Sequence, residues 1–366
     1  MTDHSPTMTD HSPTWVRIGT DSRPPSWAGE LMDAASAACG DPLKASEVAL
    51  LAGRRAPQPG EGLTVRLWET LASLAAVDLT VARTVEPHLD ALAILGQAPP
   101  SQAFQPAGAE WNGGLLGVYA AEGPGTRLEA QPTATSEVRL TGVKPWCSLA
   151  EICSAALVTA WVDDTRRGLF LVDLTDPSVS HGEEEWVARG LPRVRSVSTR
   201  FDDTPARPVG GPGWYLERPG FAWGGIGVAA VWFGGAVALL RRMRQSGLHR
   251  DLDQIGMSLL GQAEAEVWTA RNCLAAAADH VDAGRATGSA GNELALLVRQ
   301  CVAGTAEHVL QLAEHLMGPG PLALEETYAA CAADLRLYVR QHHAERDAAE
   351  LGRISVAQER ANQGHA

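Results

Sequence analysis

The sequence predicts an α+β protein in three blocks: an N-terminal helical domain, a middle β-domain and a C-terminal four-helix bundle. Two changes of hydrophobic period predict this order. Apolar residues recur at helical spacing up to about residue 98, then alternate over short segments from about residue 114. Helical spacing returns after "GGPGWYLERPG" and persists almost to the end. A third observation is punctuation, because Pro- and Gly-rich stretches fall where the period changes.

The first block, 27–105, holds "SWAGELMDAASAACG" and "LTVRLWETLASLAAVDLTVARTVEPHLDALAIL", which place apolar residues at i, i+3, i+4 and i+7. "GQAPPSQAFQPAG" ends it. The middle block, 106–213, contains short β-branched segments such as "RLTGVKPWCS", "CSAALVTAWVDD" and "RGLFLVDL", separated by turn residues. The last block, 214–356, shows four helical patterns near 219–245, 251–284, 290–317 and 323–354, joined by "RQSGLHRD", "DAGRATGSAG" and "MGPGPLA". Four long helices with short joints predict a bundle. Residues 1–26 are expected to be disordered, since "MTDHSPT" stands at 1–7 and again at 8–14, a tandem copy that suggests a start-site artefact. Residues 357–366 are expected to form a tail.

Composition narrows the functions. The 366 residues carry a net charge of −13 and just two lysines, Lys44 and Lys144, which argues against a nucleic-acid partner. The apolar run Phe221–Leu240 is Gly-rich and flanked by amphipathic patterns, so a buried bundle helix is expected there and no membrane span. The cysteines, Cys39, Cys147, Cys153, Cys273, Cys301 and Cys331, lack paired metal-ligand spacing and follow no signal peptide. Reduced, mostly buried thiols and a cytoplasmic location are expected, with no metal site.

Four stretches resemble the acyl-CoA dehydrogenase superfamily of FAD enzymes, and the resemblance spans nearly all of 27–354. "LTGVKPWCS" looks like the family strand Gly-x-Lys-x-Trp-Ile-Thr, which covers the flavin. The resemblance puts Trp146 beside the ring, Cys147 at the Ile position and Ser148 at the Thr whose hydroxyl reaches the reacting edge. "GLHRDLDQIGMSLLGQAEAEVWTAR" is similar to a bundle helix that serves the FAD diphosphate of a neighbouring subunit, with Gly247 and Gln254 at the Gly and Gln positions. Ser246 replaces the family Phe, and the nearby arginines are Arg242 and Arg244. "AEHLMGPGPL" resembles a Gly-rich phosphate turn, with His315 in place of Gln and Gly318 retained. "GVYAAEGPG" has Ala121 where the family has the Thr of Thr-Glu, which removes one flavin contact.

The fourth stretch, "DLRLYVRQHHAERDAAELGR", resembles the final helix that bears the family's usual base, a Glu in Ile-Tyr-Glu-Gly eight residues after an Asp. Eight after Asp334 is His342. The first bundle helix, where a second branch of the family places its Glu, has no carboxylate between Phe221 and Ala236. His342 therefore reads as a base with a suitable intrinsic pKa, on the inward face of the last helix. It equally reads as part of a hydrated helix end, paired at i, i+4 with Arg346, while His343 is expected to be exposed. Flavin monooxygenases of the same fold, which use histidines near this helix for a phenol or hydroperoxide proton, are the closer resemblance on this point.

The resemblance thus implies an FAD-dependent oxidoreductase that desaturates an acyl thioester, as a homodimer or homotetramer. Oxygen insertion on the same pocket is the alternative. So is a non-catalytic partner subunit of a hetero-oligomer, which the shortness of the N-terminal helical region favours, because those helices help wall the family's acyl pocket.

Overall fold

The computed structural model describes residues 14–20, 23–99, 113–133, 138–183 and 185–363. Helices α1 (Ala28–Ala37), α2 (Pro42–Gly53), α3 (Thr64–Val77) and α4 (Leu79–Gln97) form the first block. Asp78 caps α4 by accepting from the Val81 amide, and its extended backbone turns the chain sharply out of α3. Pro87 sits inside α4, where it has no N–H to give the Arg83 carbonyl.

The expected disorder of 1–26 is corrected for its later part; residues 1–13 lie outside the described residues. Trp15, Val16 and Ile18 are buried. The carboxylate of Glu69 on α3, itself fully buried, accepts from the Ile18 and Gly19 amides and the Trp15 indole N–H, and Ser73 accepts from the Val16 amide. One carboxylate thus satisfies the backbone of a segment that has no other secondary structure. Glu69→Ala should free it: unfolding by urea should show a loss of roughly 2 kcal/mol, and trypsin should cut at Arg17 before the core opens.

Strands β1 (Leu116–Tyr119), β2 (Leu128–Pro132), β3 (Val138–Ser148), β4 (Ala155–Trp161), β5 (Arg167–Asp173), β6 (Val179–His181) and β7 (Ser196–Pro208) form the middle sheet. Neighbours run β1-β4-β2-β3-β7-β5, and β5 also pairs with β4, so five strands close on themselves. The β3–β7 register slips between Lys144 and Cys147, which inserts a bulge into β3.

After the one-turn α5 (Trp214–Glu217) come α6 (Pro219–His249), α7 (Gln254–Asp282) and α8 (Gly288–Met317). α6 is long and apolar enough to cross a membrane, yet 72% of its most apolar window is buried inside the protein, against α3, α4, α7 and α8. Its glycines let helices touch: a Cβ at Gly234 would lie 2.2 Å from the Ala72 carbonyl oxygen of α3.

The fourth bundle helix is not continuous, contrary to the periodicity. It is divided into α9 (Pro319–Leu324), α10 (Glu326–Tyr338), a 3-10 turn (Val339–Gln341) and α11 (Glu345–Gln363). The break is made by His342, extended at φ −75° and ψ 128°, and by Ala344 at φ 42°. Arg299 of α8 donates to the Gln341 carbonyl and fixes the turn. The expected tail is helical to Gln363, and no residue of α11 is buried.

Candidate functional site at the junction of the three blocks

The bulge in β3 sorts its side chains. Lys144 points inward, 1% exposed, and donates to Glu122 (2.6 Å) and Thr159 (2.8 Å). Burial opposes charge on both Lys144 and Glu122. Hydrogen bonds from Lys144 and Arg167 nevertheless hold the Glu122 carboxyl below its usual range. This pair ties the loop carrying exposed Ala121 to β3, and a Cβ at Gly123 would come 3.1 Å from the Pro145 ring.

Trp146 lies at φ 59° with its side chain outward, 62% exposed. A non-glycine residue in the left-handed region is strained, and such strain collects at functional sites. Ser148 is half-buried, with its hydroxyl 2.7 Å from that of Ser196. Cys147 is a correction. Successive strand residues face opposite ways, and Cys147 is fully buried on the core side, its thiol against the Lys144 carbonyl and its pKa pushed up to about 12 by burial. Its side chain backs the strand, away from the face that Trp146 presents.

Behind Ser148 stands a charged cluster that the sequence did not reveal. Arg83 of α4 donates to the Ser148 hydroxyl (3.1 Å), lies 3.7 Å from Glu86 and stacks 5.5 Å from the Tyr338 ring centroid. Tyr338 donates to Glu86 (3.3 Å). Glu86 has a side chain 11% exposed, and burial pushes its pKa up to about 7 against the opposing pull of Arg83. A carboxyl half-ionised near neutral pH both takes and gives protons. Glu86 and Pro87 within an otherwise regular apolar helix were the available signal. The recess that Arg83 lines with Tyr119 and Ser148 is about 10 Å³.

His342 belongs to this region and is not hydrated. Its side chain is 7% exposed and packs edge-on to Trp232 of α6, 6.2 Å between centroids. Nε2 is buried without a hydrogen-bond partner among the described residues; Asp347 lies 3.8 Å away, beyond hydrogen-bond reach. Burial first, then the Arg299 guanidinium, lowers its pKa below the usual imidazole value. Arg299 covers the other part of Trp232 at 4.8 Å. The expected place on the inward face of a helix is corrected to a loop held by Arg299 and Trp232. His343 is exposed, as expected, and its backbone N–H is turned to Asp347.

The remaining residues meet elsewhere. Gly247 near the end of α6, Gln254 opening α7, and His315 and Gly318 at the end of α8 share one end of the bundle, where Arg250 donates to the Leu316 carbonyl. Gln254 and His315 are exposed, and Gly318 takes φ 68°. Arg242 and Arg244 are engaged in two-bond pairs with Glu325 and Glu264. Along α8, the 16 residues from Arg299 to His315 span roughly 24 Å, so this end and the junction are separate places on one chain.

Solved structures share this architecture. Butyryl-CoA dehydrogenase from Megasphaera elsdenii aligns with a TM-score of 0.74 and 16% identity, over 89% of this chain and 94% of that one. FMN-bound TdsC from Paenibacillus sp. A11-2, a dibenzothiophene monooxygenase, gives 0.72 and 16% over 88% and 94%. KijD3 in complex with FMN and a dTDP-linked amino sugar gives 0.73 and 15% over 91% and 92%. No protein-family model and no curated protein matches the chain. The fold is that of the acyl-CoA dehydrogenases and the flavoenzymes built like them.

Proposed function

We propose that the chain is a flavin-dependent oxidoreductase acting on a small molecule at the junction of β3, α4 and the α10–α11 break. The observation that carries this reading is Trp146, held outward at a left-handed bulge with the Ser148 hydroxyl two residues on. A flat ring needs an apolar wall and a hydrogen-bonding group at its reacting edge, and these residues fit that need. The loop at Ala121 would border the ring. The diphosphate of an FAD would lie across a neighbouring copy at the exposed bundle end, on Gln254, His315, Gly247 and Gly318, as a homodimer or homotetramer requires. When bound, the flavin supplies two-electron redox chemistry.

The protein's own residues would handle protons and charge. His342, neutral and with Nε2 unpartnered, accepts or returns a proton at that atom. Glu86 exchanges its proton through the Tyr338 hydroxyl. Arg83 and Arg299 both bear electrostatically on Glu86 and Tyr338. Such a neutral imidazole among arginines suits oxygen insertion better than removal of a weakly acidic α-proton. The recess at Arg83, about 10 Å³, also leaves little room for an acyl chain there. Acyl-thioester desaturation remains the second reading, favoured by Glu86, a buried carboxyl titrating near neutral pH.

The purified protein should be yellow, and heat-released flavin should run as FAD on a column. A colourless preparation that takes up no flavin on titration would sink the reading in favour of a non-catalytic partner subunit. Anaerobic butyryl-CoA should leave the flavin band unbleached, whereas reduced flavin, oxygen and indole as a probe should yield an oxygenated product. Bleaching by butyryl-CoA would establish desaturation instead. Light scattering should show a dimer or tetramer; a monomer would remove the shared diphosphate site.

A further inference from the structure

A cavity lies away from this junction. It measures about 820 Å³, between the α3–α4 turn, the second half of α6, the first half of α10 and the loop before β7. None of Trp146, Ser148, Glu86 or His342 lines it. Its walls are hollow because their side chains stop at Cβ: Ala75, Ala76, Ala238, Ala330 and Ala333. The volume lies within the usual range for a small-molecule site.

Three arginines bring donors to it. Arg241 is half-buried and gives one bond, to the Thr14 carbonyl (2.8 Å), and Arg193 gives one, to the Gly40 carbonyl (3.2 Å). Arg189, at the mouth, has no acceptor among the described residues, and no carboxylate pairs with any of the three. Each guanidinium carries five N–H groups, so most are free. Of the cavity's carboxylates, Asp78 accepts from the Val81 amide and Asp334 from the Leu191 amide, while Glu326 sits at the exposed start of α10. Arg242, the fourth arginine, is neutralised by Glu325. Tyr328 also lines the cavity, 3% exposed, with a buried hydroxyl that has no partner among the described residues. A half-buried cation, Arg241, and an orphaned buried hydroxyl, Tyr328, are costly unless something pairs with them.

We propose that this cavity binds an organic anion, a carboxylate or phosphate monoester on an apolar body, at a site separate from the flavin junction. The anionic group meets Arg189, Arg193 and Arg241, and the body rests on the alanine floor. α4 and α10 each run from the cavity to the junction, from Asp78 to Arg83 and from Asp334 to Tyr338. Occupancy is thereby placed to bear on the chemistry one turn away.

The test uses the full chain and 8-anilinonaphthalene-1-sulfonate, an anion on an apolar body, followed by fluorescence. One saturable site is expected, displaced by phenyl phosphate or benzoate but not by phenol; the stronger competitor tells phosphate from carboxylate. Ala330→Phe, which fills the floor, should abolish binding. Arg241→Gln should weaken it roughly ten-fold. If either variant fails to fold by circular dichroism, Arg189→Gln and Arg193→Gln, both at exposed positions, decide. Absence of saturable binding, equal displacement by phenol, or affinity unchanged in the folded variants would overturn the proposal.

Discussion

His342→Ala should lower turnover by roughly 10²–10⁴-fold, the usual worth of a positioned proton-transfer group, while the visible flavin spectrum stays as it was. The flavin's proposed contacts lie on β3 and at the bundle end, so nothing that would hold the ring is removed. The imidazole's pKa is lowered by burial and by Arg299. The acidic limb of the pH–rate profile should therefore fall below the ordinary imidazole range and disappear in the variant. Arg299→Gln, which takes away the second of those causes, should move that limb upward. A profile unchanged by His342→Ala would assign the limb to another group. His342→Glu restores the carboxyl that the family resemblance expects there and should raise desaturation of butyryl-CoA above the wild-type level if the second reading holds.

Glu86→Gln should make the folded chain more stable at pH 8 than the wild type and, at the same time, less active. In the folded chain Glu86 keeps its proton up to about pH 7, whereas the unfolded chain releases it near 4.5. Between those values the unfolded state binds fewer protons, so stability falls as pH rises, and the loss is complete above about pH 7. The shift corresponds to about 3 kcal/mol. Glutamine keeps the shape and loses the titration. Urea unfolding at pH 5 and at pH 8 should show the variant gaining about that amount over the wild type between the two conditions. An equal pH dependence in both proteins would mean that Glu86 titrates normally. Function held against stability in this way marks a site group.

Much of the fold was legible because period 3.6 and period 2 report the buried face directly, and each block is many residues long. The failures share a local cause. The helix break at 342–344 has neither glycine nor proline; it is imposed by Arg299, 42 residues upstream, and by the pocket over Trp232. Glu86 looks like one polar residue on an apolar helix, and its burial depends on Tyr338, 252 residues away. Trp15, Val16 and Ile18 follow directly on the repeat, and only the short alternation in "VRI" marks them as ordered. Cys147 is buried because a strand alternates in and out, which a motif read as a string does not express. Trp146 and Ser148 stand out as a single aromatic between Lys144 and a hydroxyl, a pattern of types and not of distant partners, and the structure turns Trp146 outward and leaves Ser148 half-buried.

The break that carries His342 is secured largely through main-chain atoms: the Gln341 carbonyl bound by Arg299, the His342 amide bound to the Val339 carbonyl, and the left-handed Ala344. These main-chain contacts do not depend on which side chain stands at 342, though the imidazole also packs on Trp232. A scaffold arranged so can exchange imidazole for carboxylate, or for an inert group, by single substitutions that each leave a folded protein to be selected upon. Divergence in reaction type across one architecture then requires no intermediate that is lost to misfolding, and an acid, a base and a silent subunit become neighbours in sequence space.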